Sequence, residues 1–171
     1  MRVAIIGNSG SGKSSLAHQL VARHGMPMLD LDTVAWEPDK IAAQRHPRVA
    51  MADVRAFCGD NTDWVVEGCY AGLIRPTLDY APTLLFLQPG LQACVANCRS
   101  RPWEPHKYRS KREQDDKLEH LLEWVREYYE RDGDLSLRSH QDLYDSYAGP
   151  KRKLAQRAGR GFVEQLELAS A

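Results

Sequence analysis

The sequence has no surplus of charge of either sign. Its 23 Lys and Arg residues equal its 23 Asp and Glu residues, so the formal net charge at pH 7 is +0. Proteins that bind nucleic acid through its phosphate backbone usually carry a basic surplus. The balance therefore disfavours a nucleic-acid partner, while leaving room for a local basic patch.

Long apolar runs are also missing. A membrane-spanning helix needs about 20 consecutive, mostly apolar residues, and no segment approaches that length. The opening MRVAIIG has one charge followed by only four apolar residues, which does not match a secretory signal. We therefore expect a cytoplasmic protein with no membrane partner.

Cysteine is scarce, and no two cysteines form a CxxC pair. The four cysteines are Cys58, Cys69, Cys94 and Cys98. A structural zinc site takes about four ligands, so we expect reduced, mostly buried thiols instead. Internal repeats and low-complexity tracts are absent too, and 171 residues suit one domain over 1–171, as a monomer or homodimer.

Short β-branched apolar runs alternate with helical patterns along the chain. Strands are predicted at residues 2–6, 27–32, 63–70, 83–88 and around 151–154. Helices are predicted at 13–24, 47–58, 91–101, 110–132, in a short segment after 135, and at 159–169, while 33–46 and 102–110 are predicted loops. The alternation predicts a three-layer α/β/α fold with a mostly parallel sheet of about five strands.

A glycine-rich stretch separates the first strand from the first helix. GNSGSGKSS comprises Gly7, Asn8, Ser9, Gly10, Ser11, Gly12, Lys13, Ser14 and Ser15, and it fits G-x-x-x-x-G-K-[ST]. Glycines permit turns that point several backbone N–H groups at one anion, and the following helix adds its positive end. Lys13 would contact the β- and γ-phosphates, and the Ser14 hydroxyl would bind Mg²⁺. We predict a loop that binds the phosphates of ATP with Mg²⁺, rather than a flexible turn that matches by chance.

Acidic residues lie at the ends of the second and third predicted strands. Asp30 and Asp32 end the second strand, and alternation places both on one face. If that strand lies beside the first, both carboxylates approach the phosphate site. One acid, Asp30, could then hold Mg²⁺ through water, and the other, Asp32, could deprotonate an attacking hydroxyl. Glu67 ends the third strand as a further metal candidate. The alternatives are solvated acids at a loop entrance and, for Glu67, a salt-bridged or capping acid.

The stretches IIGNSGSGKSSLA, LDLDTVAW, WVVEGCY and LYDSYAGPKRKL resemble small P-loop kinase-like proteins grouped with adenylate and shikimate kinases. Some of these relatives carry a label about modulating DNA topology. The resemblance covers most of the chain and implies a P-loop NTPase fold with an arginine-bearing helical lid, here at about 99–115. Arg99 and Arg101 fall where lid arginines begin, although the same segment also fits a solvated basic loop.

The resemblance also implies an acceptor site. The acids after the second strand match the paired acids of shikimate-kinase-like enzymes, and Glu67-Gly68 matches the polar-Gly end of the third strand. EGCY is neither the DGFPR of adenylate kinases nor the glycine triplet of shikimate kinases, so the acceptor stays open. The candidate acceptor-binding residues are Asp32, Trp36, Gly68, Tyr70, Arg75 and Arg126. For Trp36, Tyr70 and Arg75, ordinary core packing or surface exposure is the alternative.

The sequence therefore predicts an ATP- and Mg²⁺-dependent phosphotransferase that acts on a small-molecule or nucleotide acceptor. Lys13, Asp32, Arg99 and Arg101 are its candidate catalytic residues. The alternative is a nucleotide-binding regulator or slow ATPase that acts through a macromolecular partner, with DNA among the candidates. Its contacts would be the basic segments 107–112 and 151–160.

Overall fold

A parallel sheet lies at the centre of the fold. The computed structural model describes residues 1–37, 43–103, 109–156 and 161–168. Within these residues the sheet contains five strands, all parallel, in the order β2-β3-β1-β4-β5. The strands are β1 (Arg2–Gly7), β2 (Met28–Asp30), β3 (Trp64–Gly68), β4 (Thr83–Leu87) and β5 (Lys151–Leu154). Strand β3 separates β2 from β1, so the adjacency assumed for the first two strands was wrong.

Helices cover both faces of this sheet. They are α1 (Lys13–His24), α2 (Asp32–Ala35), α3 (Pro47–Asp60), α4 (Ala71–Ile74), a 3-10 helix (Arg75–Tyr80), α5 (Leu91–Arg99), α6 (Lys111–Asp116), α7 (Leu118–Glu127), α8 (Leu137–Ser146) and α9 (Phe162–Leu168). No helix in the described part of the chain is both long enough and apolar enough to cross a bilayer.

The side chains of each central strand alternate between two hydrophobic clusters. In β1, Ala4 and Ile6 enter the cluster that contains residues of α3, α4 and α8. Val3 and Ile5 enter the opposite cluster, with residues of α1 and α9. Because successive side chains of a strand point to opposite faces, the same strands supply both clusters. The three-layer prediction is confirmed.

Several elements differ from the prediction, and α4 and the 3-10 helix over residues 71–80 were not predicted. The single helix expected over 110–132 is divided at Lys117 into α6 and α7. The predicted loop 33–46 begins with the helical turn α2, because Asp32 already has helical geometry instead of continuing the strand. The Asp30 carboxylate accepts the backbone N–H of Asp32 at 2.9 Å, which stabilises the start of this turn.

A third cluster joins the helices on either side of the predicted lid. Cys94 and Cys98 of α5 pack against Leu122 and Val125 of α7. All four cysteines of the chain are free thiols, and all except Cys69 are buried. The expectation of reduced, mostly buried thiols agrees with this packing.

Candidate functional site

The glycine-rich loop turns sharply between β1 and α1. Gly10 and Gly12 have φ values of 77° and 95°, which L side chains rarely adopt. Gly12 caps the N-terminus of α1, so the helix begins at Lys13. Backbone N–H groups at the start of a helix favour a bound anion. The local geometry is therefore that of a phosphate-binding loop.

The loop also packs tightly against its neighbours. A Cβ atom on Gly10 would lie 2.3 Å from the Cys94 carbonyl oxygen, and one on Gly7 would lie 2.5 Å from that of Leu87. Both distances are far below a van der Waals contact. Side chains larger than hydrogen at these positions would displace the loop from α5 and β4.

Two asparagines attach the loop to the helices that flank the predicted lid. Asn8 donates its side-chain N–H to the Val125 carbonyl of α7 at 2.9 Å. Asn97 of α5 donates to the Gly10 carbonyl at 2.8 Å. The first bond orients the Asn8 side chain, and the second orients the Gly10 carbonyl. The conformation of the loop therefore depends on both helices.

A cavity of about 600 Å³ opens in front of this loop. It brings together many of the predicted residues, including Lys13, Asp32 and Glu67. The lining consists of Ser9, Gly10, Gly12, Lys13, Ser14, Ser15, His18, Asp30, Asp32, Trp36, Gln44, Glu67, Gly68, Cys69, Tyr70, Asn97, Ser100, Arg101, Pro102, Trp124 and Leu135. Gly7, Asn8 and Ser11 do not line the cavity and are buried beneath it.

Lys13 keeps its charge although it is only 7% exposed. Burial opposes the charged form, but Cys69, Glu67 and Asp32 outweigh burial and raise the pKa of Lys13. Its ammonium donates to the Asn8 carbonyl at 3.1 Å. A buried, charged ammonium at a phosphate loop is suited to binding phosphate oxygens.

Glu67 lies beside the loop and is 3% exposed. In the strand register it is the partner of Asp30, so the two carboxylates are neighbours across β2 and β3. Burial raises the pKa of Glu67, and Asp30 adds to the rise, while Lys13 and a hydrogen bond with Ser14 oppose it.

These oxygen atoms fit a magnesium ion bound together with phosphate. Mg²⁺ usually takes one or two carboxylates, with water and substrate phosphates completing its shell. Ser14, Asp30 and Glu67 supply that donor set. Over the described residues, no group of three or more His, Cys, Asp and Glu side chains forms a complete protein cage. The donor set thus suits a cation shared with a nucleotide.

Asp32 is held by a chain of hydrogen bonds. The Tyr70 hydroxyl donates to the Asp32 carboxylate at 2.8 Å, and the Trp36 indole N–H donates to the Tyr70 oxygen at 2.9 Å. Burial raises the pKa of Tyr70, and the adjacent Asp32 raises it further, so the phenol remains a hydrogen-bond donor. Trp36 packs against the core and also lines the cavity.

Three predicted arginines lie away from the cavity lining. Arg75 is exposed in the 3-10 helix, and Arg99 and Arg126 are exposed at or near the ends of α5 and α7. Arg101 does line the cavity. Of the predicted lid at 99–115, residues 104–108 lie outside the described part of the chain.

Several cavity residues were not predicted from the sequence. His18 lies one helical turn after Ser14, a spacing that could have indicated it. Trp124 is an exposed residue of α7 that lies outside its apolar stripe, and the Arg131 guanidinium lies 3.5 Å from the centre of its ring. The partners of His140 were also not predicted. It is completely buried and contacts the Cys69 carbonyl and the Tyr128 hydroxyl.

No protein-family model matches the chain, and no curated protein matches it in sequence. Solved structures of kinases do resemble it. A shikimate kinase from Aquifex aeolicus has a TM-score of 0.54 at 16% identity, covering 99% of this chain and 96% of that one. A shikimate kinase from Bacteroides thetaiotaomicron has a TM-score of 0.54 at 14% identity, covering 100% and 99%. A sugar kinase from Janibacter sp. has a TM-score of 0.51 at 14% identity, covering 98% and 92%. Likeness at these identities establishes the fold alone, and this chain therefore has the P-loop kinase-like fold that its sequence predicts.

Proposed function

We propose that the protein is a phosphotransferase that moves the γ-phosphoryl group of ATP to a hydroxyl of a small-molecule or nucleotide acceptor. One observation carries this proposal. The phosphate-binding loop with its buried, charged Lys13 opens into the same cavity as Asp32, which is hydrogen-bonded and positioned on another element. A nucleotide and an acceptor can therefore meet in one site.

The nucleotide end of the site consists of residues 7–15. Their backbone N–H groups and the start of α1 would bind the phosphates, with Lys13 contacting the transferred group. Ser14, Asp30 and Glu67 would hold Mg²⁺. The ion, when bound, neutralises charge on the phosphate oxygens.

Asp32 is our candidate for the group that accepts the proton of the attacking hydroxyl. The donor hydrogen bond from Tyr70 orients its carboxylate. Lys13 and a lid arginine, for which Arg101 is better placed than Arg99, would stabilise the charge on the moving phosphoryl group. Closure of the predicted lid would exclude water and suppress hydrolysis of ATP.

The described part of the first basic segment does not favour a nucleic-acid-binding regulator. In the described part of the basic segment, Lys111 pairs with Asp115 at 2.9 Å, and Arg112 approaches Asp116 at 4.0 Å. Lys117, just beyond this segment, pairs with Glu113. The positive charges of α6 are thus balanced by neighbouring acids. Residues 107–108 of the first basic segment and 157–160 of the second lie outside the described part of the chain.

The test is ATP consumption with Mg²⁺ against a panel of acceptors: nucleosides, nucleoside monophosphates, shikimate, sugars and small hydroxy acids. We expect one acceptor to stimulate consumption and to appear as a phosphorylated product by mass spectrometry. Lys13→Ala should lower this turnover about 100-fold or more, as expected for the loss of one preorganised charge donor. Arg48→Ala, which removes an exposed cation of α3, is the matched control and should keep full turnover. ATP binding without stimulation by any acceptor would contradict the proposal.

A further inference from the structure

His140 is a buried titratable residue that the proposed mechanism does not use. It belongs to α8 and is 0% exposed. Its Nε2 atom lies 2.7 Å from the Cys69 carbonyl oxygen, and its Nδ1 atom lies 2.8 Å from the Tyr128 hydroxyl oxygen. One imidazole thus contacts two other elements at once.

The contacts determine which ring nitrogen carries the proton. A carbonyl oxygen can only accept, so Nε2 bears the hydrogen and donates it to Cys69. Nδ1 of the neutral ring then accepts the hydrogen of the Tyr128 hydroxyl. Burial, assisted by the cations Lys13 and Arg131, lowers the pKa of His140 to about 4, which keeps the ring in this neutral form. The hydrogen bond to Cys69 opposes this shift.

The Cys69 carbonyl lies at a critical point of the chain. Strand β3 ends at Gly68, so residue 69 follows the last ladder position. Glu67, the candidate metal ligand, lies two residues before Cys69, and Tyr70, which donates to Asp32, lies directly after it. The backbone carbonyls of these three residues accept hydrogen bonds from different elements. The Glu67 carbonyl accepts the Leu31 N–H at 2.9 Å, and the Tyr70 carbonyl accepts N–H groups of α4. The Cys69 carbonyl accepts from the His140 side chain.

The hydrogen bond between His140 and Tyr128 connects this segment to α7, the helix that follows the predicted lid. Tyr128 follows α7 directly, and its ring is buried against His140, with centroids 5.2 Å apart. The adjacent helix α7 also holds the phosphate loop, through the Val125 carbonyl and Asn8. His140 therefore connects the helix that follows the predicted lid to the segment that supplies acceptor and metal contacts.

We propose that His140 is a positioning residue: its Nε2–H fixes segment 67–70 in the cavity, and its Nδ1 links that segment to α7 through Tyr128. Its effect on catalysis rests on the proposed function, because the positioned residues are those assigned to acceptor activation and metal binding. Its effect on segment 67–70 can be measured without turnover.

The first measurement is the rate at which iodoacetamide alkylates Cys69, followed by peptide mass spectrometry. Cys69 is the half-buried thiol of the four, and it lines the cavity. His140→Leu removes both hydrogen bonds, and we expect the alkylation rate of Cys69 to rise about tenfold, because one orienting hydrogen bond and its rigidity are lost. His140→Gln keeps a side-chain N–H donor of similar reach, and it should restore a rate close to that of the original protein.

The second measurement separates positioning from general damage. In His140→Leu we expect kcat to fall about tenfold while ADP binding by calorimetry is unchanged, and His140→Gln to recover most of kcat. Tyr128→Phe keeps the hydrogen bond between His140 and the Cys69 carbonyl. The alkylation rate of Cys69 should therefore rise less in this variant than in His140→Leu. If His140→Leu does not fold, His140→Asn, which is too short to reach Cys69, replaces it.

Each outcome bears on the inference in one direction. An unchanged Cys69 alkylation rate in His140→Leu overturns it, as does an equal loss of ADP binding in the Leu and Gln variants. If the original protein phosphorylates no acceptor but the alkylation rates follow the expected order, the proposed function fails and the positioning of segment 67–70 stands.

Discussion

Tyr70 joins two side chains of the cavity through one hydroxyl, which accepts from Trp36 and donates to Asp32. Tyr70→Phe removes both bonds and frees the Asp32 carboxylate to rotate. A hydrogen bond contributes about 0.5–1.5 kcal/mol, so we expect kcat to fall about 2- to 10-fold and ADP binding to stay unchanged. Steady-state kinetics and calorimetry would measure the two effects. Tyr80→Phe is the control, because its hydroxyl also makes a hydrogen bond, to the Arg55 carbonyl, and does not line the cavity. Full kcat in Tyr70→Phe would show that Asp32 needs no such orientation.

His140 should also make stability depend on pH. Its pKa is lowered by burial from the ordinary 6.5 to about 4. Between these values the unfolded chain binds a proton that the folded protein excludes, so stability is complete above pH 6.5 and falls as the pH drops toward 4. The loss amounts to about 3 kcal/mol. We therefore expect the free energy of unfolding, measured with urea at several pH values in this range, to change less with pH in His140→Gln than in the original protein. His120→Gln, at an exposed site of α7, is the control, and its free energy of unfolding should depend on pH as that of the original protein does.

The contact between the phosphate loop and α5 can be tested with two glycines of similar backbone geometry. Gly10 and Gly25 have φ values of 77° and 67°, so alanine is strained by about 1–2 kcal/mol at either position. A Cβ on Gly10 would meet the Cys94 carbonyl oxygen at 2.3 Å, whereas one on Gly25 would have no atom within 4 Å. We expect Gly10→Ala to lower the free energy of unfolding by at least about 1 kcal/mol more than Gly25→Ala does. Gly10→Ala alone should weaken ADP binding. If the two variants lose equal free energies of unfolding, α5 can move away from the loop at little energetic cost.

The division between α6 and α7 shows what a hydrophobic pattern can predict. Ser110 caps the start of α6, since its hydroxyl accepts the Glu113 N–H, and the Glu113 carboxylate accepts the Arg109 N–H. The apolar stripe, however, begins only at Leu118. Residues 111–116 are all polar, and none of them is buried, so α6 has no apolar face that would pack in line with that of α7. Periodicity predicts where a helix packs, but a polar segment carries no information about its direction.

Local motifs predicted the cavity residues of the glycine-rich loop more completely than those that come from distant elements. The loop at 7–15 and its place between a strand and a helix are encoded in contiguous residues. Asp30 and Glu67 lie at the carboxyl ends of their strands, and Asp32 lies just beyond β2, so these acids meet at one edge of the sheet. Gln44, Trp124 and His140 reach the site region through tertiary packing of elements distant in sequence. Strand order was equally inaccessible, because every central strand is apolar on both faces and any of them could neighbour β1.

Because the side chains of each central strand alternate between two hydrophobic clusters, the two faces of the sheet depend on the same strands. Val65 and Leu85 belong to the cluster with α1 and α9, and their neighbours Val66 and Leu84 belong to the opposite cluster. Neither face can unfold without exposing the strands that support the other. We therefore propose that the chain is one cooperative domain and that urea unfolds it in a single transition. Tryptophan fluorescence, which includes the buried Trp64, and far-ultraviolet circular dichroism should give the same midpoint.

Nucleotide binding gives this last prediction a second test. ADP with Mg²⁺ at about 100 times its dissociation constant should add about 2.7 kcal/mol to the free energy of unfolding. If the chain is one domain, both midpoints must move together, because the loop that binds the phosphates is continuous with β1 at the centre of the sheet. Lys13→Ala should abolish the shift in both signals, and Arg48→Ala should retain it. A fluorescence midpoint that moves while part of the circular dichroism signal does not would identify a separately unfolding unit. Helix α6 would be its first candidate, because none of its residues is buried.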